Sequence, residues 1–234
     1  MATAYKEENK LSVEQDARFI SHGIYFLPWI GETYNQGFAE RKLLVLGESH
    51  YQEWNGEIHE LKQEITRNCI ENEVKNRIQG GQGAPLWLNI EQALLNKKRV
   101  DGWVPGGEKI WYQIAFYNFV QTPVLSRSNP PSRAQFQDSW GAFRELVEEI
   151  RPDRIIVCGG RLWSKMPPTP HEDGSRSDLF LRSDIQAYCL RDGTPVWCLA
   201  IHHPSICFSW TRWHPVILAF LRDPADAARL PQAQ

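Results

Sequence analysis

Three short segments of the chain gather side chains able to polarise, read or hydrolyse a bond. Gly47-Glu48-Ser49-His50-Tyr51 offers a carboxylate, a hydroxyl and an imidazole; Tyr117-Asn118 offers an amide; His202-His203-Pro204-Ser205 offers two imidazoles. A histidine N–H can stabilise negative charge developing on a leaving group. An asparagine side chain holds donors and an acceptor, so it can read a planar edge. Glu48 or His50 could position a water molecule, whereas Ser49 cannot act as a general base unaided. Each group also has a plainer reading. Glu48 and Ser49 could cap a helix that follows a strand. His50 could be a satisfied loop histidine, His202 a structural one and Asn118 a turn residue at a strand end. The spacing of His50, His202, His203 and His214 matches no helical pair of ligands, and no metal is expected. Tyr51 stands where a Gly-x-Ser-x-Gly elbow needs glycine, which argues against a serine hydrolase. Gly159-Gly160 alone is poor evidence for a dinucleotide site.

The elements that must position these groups follow from patterning. Leu43-Leu44-Val45-Leu46, closed by Gly47, is a continuous apolar run of the kind found in a strand buried on both faces. Residues 114–120 and 154–160 read as further strands. Residues 185–190 and 195–201 flank Arg191-Asp192-Gly193-Thr194, a hairpin signature. Helices are expected over 13–26, 57–78, 87–95, 135–150 and 213–221. In 135–150, Phe136, Trp140, Phe143, Leu146, Val147 and Ile150 recur at helical spacing. Residues 27–33 read as a loop with apolar anchors, 122–133 and 167–178 as long loops, and 1–12 and 223–234 as loose tails. Strands alternating with helices predict one α/β domain: a three-layer α/β/α sandwich around a central, mainly parallel four-stranded sheet. Ligands of such sheets bind outside the C-terminal strand ends. That rule selects residues 47–51, 118–122, 159–161 and 202–205.

Bulk properties narrow the classes. The 234 residues suit one sizeable core. The net charge of −2 gives no support to tight non-specific binding of nucleic acid, but leaves room for a local basic groove. Lys97-Lys98-Arg99, and Arg127 with Arg133, are the candidate basic clusters, each of which could equally be a solvated face. Most of the ten tryptophans are expected in the core. Five cysteines without a C-x-x-C pair fit neither a zinc site nor a disulfide framework, and point to a reducing cytosol. The polar first 15 residues do not resemble a signal peptide, and no apolar run is long enough to span a bilayer. The expectation is a cytoplasmic protein with no membrane association and no obligatory protein partner in evidence.

Taken in order, the three segments resemble the uracil-DNA glycosylase superfamily. Its first motif, Gly-Gln-Asp-Pro-Tyr or Gly-Glu-Ala-Pro-Gly, follows the first core strand; a later strand ends in a base-reading asparagine; its second motif is His-Pro-Ser. The stretch 151–160 is similar to the family's helix-to-strand segment. The resemblance covers roughly residues 27–220 and implies that family's fold and hydrolysis of the N-glycosidic bond to uracil or another modified base in DNA, single-stranded or duplex. His203 would stabilise the leaving base, Asn118 would read it, and Glu48, Ser49 and His50 would position water. Tyr51, Trp54, Phe116 or Tyr117 would stack on the extruded base. Ser205 and Arg127 would meet the DNA, and Ile206, Cys207 or Phe208 would enter the gap left in the duplex. Two departures stand out. Ser49 replaces the family's water-orienting aspartate, and His50 replaces its proline. The cysteines do not form the arrangement of the iron–sulfur branches, so no cluster or other cofactor is expected. Two further readings stay open: a non-catalytic nucleic-acid or nucleotide binder, and a hydrolase of free nucleosides or nucleotides.

Overall fold

The computed structural model describes residues 13–170, 172, 174 and 176–232. The arm expected over 1–12 lies outside them, as do residues 171, 173 and 175 of the expected 167–178 loop and the last two residues of the chain. Elements follow in the order α1 (Val13–Ser21), β1 (Trp29–Ile30), β2 (Leu43–Gly47), β3 (Glu53–Trp54), β4 (Glu57–Ile58), α2 (Ile65–Ile78), α3 (Pro85–Leu95), α4 (Glu108–Trp111), β5 (Ala115–Asn118), α5 (Arg133–Asp138), α6 (Trp140–Ile150), β6 (Arg154–Cys158), α7 (Gly160–Trp163), β7 (Phe180–Arg182), β8 (Ile185–Cys189), β9 (Pro195–Ile201), α8 (Trp210–Arg222) and α9 (Pro224–Arg229).

The apolar runs form the centre of a mostly parallel sheet. Its order is β1-β5-β2-β6-β9-β8-β7, and β5, β2, β6 and β9 are mutually parallel. The sheet therefore has seven strands, not the four expected. β1 adds antiparallel to β5, and β8 and β7 extend the other edge antiparallel. β1 and β7 are too short to carry a period of two, which is why 27–33 reads as loop in the sequence. Alternate residues of β2 enter opposite cores. Leu44 and Leu46 meet Phe143, Leu146 and Val147 of α6. Leu43 and Val45 join Trp87 and Ile90 of α3 and Ile217 and Phe220 of α8. Helices thus cover both faces, and all five β2 residues are buried.

Three other expectations are corrected. Residues 57–64 are not helical: Asn55 and Gly56, at φ 54° and 80°, turn β3 into β4, and α2 starts only at Ile65. Two adjacent residues at positive φ are the requirement of a two-residue hairpin turn. The expected helix 135–150 is broken at Ser139, whose hydroxyl donates to the Gln135 carbonyl (2.8 Å) and accepts from the Gln121 N–H (3.0 Å). Back-bonding of this kind competes with the helical ladder. Residues 223–229 are not a loose tail. Asp223 caps α9 through the Ala225 N–H, Pro224 occupies the first turn and Ala227 is fully buried. No helix among the described residues is long and apolar enough to cross a membrane.

The topology fixes where a ligand can sit. After β2 the chain leaves for β5, with α2 and α3 in one core. After β6 it leaves the other way, toward β9, through α7, whose Leu162 lies in the opposite core. The C-terminal ends of β2 and β6 therefore mark the topological switch point of the sheet, the position at which open α/β sheets bind ligands.

Candidate active site

Glu48, the first residue beyond β2, and Arg161, in α7 just beyond β6, meet at that switch point. Arg161 Nε donates to Glu48 Oε2 at 2.7 Å and its second nitrogen donates to Oε1, a bidentate pair. Glu48 is 8% exposed and the Arg161 side chain 49%, so the pair is closed on the protein side and open toward solvent. The Glu48 hydrogen bonds, with a smaller contribution from Tyr51, raise Arg161 above its ordinary value.

His203 completes the group. Burial lowers its pKa; Glu48 opposes that shift, while Arg161 and Arg127 reinforce it. The imidazole is therefore neutral at pH 7. The Ser205 N–H donates to its Nδ1 at 3.2 Å, which makes Nδ1 the acceptor and puts the proton on Nε2. The ring packs directly over Gly159, where an added Cβ would meet His203 Cβ and Cδ2 at 3.6 Å. Gly159 has φ 110°, a backbone that only glycine adopts freely, so the turn that presents Arg161 also seats His203. The loop is held from outside as well: Asn89 Nδ2 donates to the Pro204 carbonyl at 2.5 Å.

A second network lies at the end of β5. His50 is 7% exposed; burial pushes it down to about 3, and it stays neutral. Its Nε2 lies 2.9 Å from the Thr66 hydroxyl, and Asn118 Nδ2 lies 3.2 and 3.1 Å from its two ring nitrogens. Phe26 packs edge-on against the ring. Gln121 ties the network down, donating to the Asn118 carbonyl (2.8 Å) and accepting from the Phe26 N–H (2.9 Å). Gly47 makes room for Asn118, since a Cβ there would lie 2.1 Å from Asn118 Oδ1 and 2.9 Å from Phe116 Cζ. The Ser49 hydroxyl is enclosed and has no hydrogen-bond partner among the described residues.

The structure brings Glu48, Ser49, His50, Tyr51, Asn118 and His203 to one edge of the sheet, at the ends of β2, β5 and β9. It does not bring all the expected stacking residues there. Tyr117 is fully buried in the α6-side core, with its hydroxyl unpartnered among the described residues and raised well above its ordinary value by burial. Phe116 lies in the other core, edge-on to Trp87 and Trp111. Tyr51 is half-buried and bridges to Val124. Trp54, 44% exposed, stacks on His59 with the planes 5° apart. Ser205, Ile206 and Cys207 are exposed in the loop before α8, while Phe208 stacks on Trp213. Arg127 is exposed on the loop after β5. His202 lies edge-on to Trp213, and His214 Nδ1 meets the Ala93 carbonyl at 2.8 Å. No three His, Cys, Asp or Glu side chains among the described residues form a metal-binding group.

Thr66 and Asn89 are participants that sequence reasoning does not single out, whereas Arg161 falls within 159–161, which the strand-end rule selects without giving it a role. No protein-family model matches the chain and no curated protein matches it in sequence.

Proposed function

We propose that the protein is a uracil-DNA glycosylase-like hydrolase that cleaves the N-glycosidic bond of uracil or another modified base in DNA. The observation that carries the reading is the neutral His203, its proton on Nε2, within the electrostatic influence of the Glu48–Arg161 pair at the C-terminal ends of the strands. As the bond from C1′ to the base nitrogen breaks, the sugar acquires oxocarbenium character and the base leaves with the electron pair. A neutral imidazole N–H donates to the base carbonyl oxygen, where that charge collects. Water adds to C1′ and its proton passes to solvent or to the departing base. A carboxylate has about four acceptor sites, so Glu48 can take a water hydrogen bond while paired with Arg161. Asn118 reads the base edge. Tyr51 and Trp54 are the remaining stacking candidates. Arg127, Ser205 and Ile206 meet the strand, and the layering of helices on both sheet faces suits the same reading.

One observation favours the non-catalytic alternative: both Glu48 oxygens are engaged by Arg161, while by the resemblance Ser49 stands where the family has its aspartate. The two readings separate in an abasic-site assay on single- and double-stranded oligonucleotides carrying uracil, hypoxanthine, xanthine or hydroxymethyluracil. Strand scission at the modified base after alkali supports the glycosylase. Retarded mobility with intact base on every substrate refutes it in favour of a binding protein.

A further inference from the structure

We infer that Asn89 is a positioning residue for His203, acting from α3 through the Pro204 carbonyl; the catalytic half of this inference rests on the glycosylase reading. His203 sits on a loop of irregular backbone between β9 and α8, and two devices hold it. The first is internal: the Ile206 N–H donates to the His203 carbonyl at 3.0 Å, and the Ser205 N–H to His203 Nδ1. The second is Asn89. Its Nδ2 donates to the Pro204 carbonyl at 2.5 Å, and its Oδ1 accepts from Arg99 at 2.6 Å. Arg99 is fixed in turn by Gln92 Oε1 at 2.8 Å, one turn along the same helix. Arg99, which the sequence groups with a basic surface cluster, thus orients the Asn89 amide so that its nitrogen points at the loop.

Pro204 is buried although its neighbours Ser205, Ile206 and Cys207 are exposed, so its carbonyl is the point where the loop is tied to the body of the protein. α3 is itself rigid: Glu91, fully buried, is held by Arg77 (2.6 Å) and by Trp111 Nε1 (2.9 Å). The histidine is therefore tied to a buried helix as well as held within its own loop. Misplacing a catalytic group by about 1 Å can lower the rate about 100-fold.

The test uses Asn89→Asp, which keeps the shape and the Arg99 contact but cannot donate to Pro204, alongside Asn89→Ala. Two readouts apply to the whole protein. Amide hydrogen exchange at Ser205 and Ile206, with the 15N shifts of the His203 ring, reports the loop without any substrate. Steady-state base release, read as kcat and KM, reports the chemistry. Both variants are expected to exchange at least 10-fold faster at Ser205 and Ile206 and to lose the single Nε2–H tautomer. kcat is expected to fall about 10- to 100-fold while KM stays within about twofold. Wild-type exchange and tautomer in Asn89→Asp overturn the inference. Altered exchange with unchanged kcat overturns its catalytic half. If the wild type releases no base, the glycosylase reading fails, and the exchange and tautomer data still decide whether Asn89 positions His203.

Discussion

Replacing Arg161 by alanine tests the Glu48–Arg161 pair independently of any substrate. The variant leaves Glu48, 8% exposed, without the cation that it pairs with. Removing one partner of a buried pair costs about 3–5 kcal/mol, while an exposed pair is worth at most about 1 kcal/mol. The solvent-facing side of this pair, set by an arginine 49% exposed, puts the loss between those limits, at about 2 kcal/mol. For a domain of this size that is about 4–8 °C in Tm. The reverse variant, Glu48→Gln, leaves a guanidinium that turns into water, and is expected to lose about 1 kcal/mol or less. Thermal melts of the three proteins decide the matter. Equal losses in the two variants, or no loss in Arg161→Ala, refute the reasoning.

Other consequences follow from the buried groups. Gly47→Ala forces a Cβ against Asn118 Oδ1 and Phe116 Cζ and is expected to cost about 1–3 kcal/mol in urea unfolding; the cost falls in an Asn118→Ala background, which removes the nearer obstacle. Glu73, whose carboxylate accepts from the Ala84 N–H, is pushed up by burial from 4.5 to about 7. Between those values the folded state binds a proton that the unfolded state has released. Stability therefore declines as the pH rises from about 4.5 to 7, by ~1–3 kcal/mol, and Glu73→Gln removes that decline in unfolding curves taken across the range. His50 shifts the opposite way. Only the unfolded state takes up its proton between about 6.5 and 3, so stability falls as the pH drops through that window; an NMR titration should leave the His50 ring neutral at pH 5, and protonation there would refute its enclosure.

The parts of the fold legible in the sequence are those where one pattern dominates. Continuous apolar runs mark β2 and β6 because both faces of the sheet are covered. Asp192-Gly193 marks the β8–β9 hairpin. The misread parts are those where a local bond overrides the pattern. Ser139 breaks a helix whose apolar period runs on unaltered, and Asn55-Gly56 turns a stretch whose Glu-rich composition reads as helix. Asp223 followed by Pro224 is a readable cap for α9 that composition alone obscures. At the site, the strand-end rule finds Glu48, Asn118 and His203, because topology decides where they lie. It cannot separate side chains that face the strand-end site from those that face a core. A strand covered on both faces buries successive residues in opposite cores, and that accounts for Phe116 and Tyr117. Nor can it report a partner distant in sequence, which hides the link from Asn89 to Pro204.

The most direct test of the central claim is single-turnover base release by the wild type and His203→Ala on the substrate that the oligonucleotide panel identifies. Loss of one preorganised donor to a developing anion lowers a rate by about 10²–10³-fold. The account predicts a fall of that size in His203→Ala, with oligonucleotide affinity little changed, and a wild-type rate that drops as acid protonates the imidazole. A His203→Ala variant that releases base at the wild-type rate would contradict it.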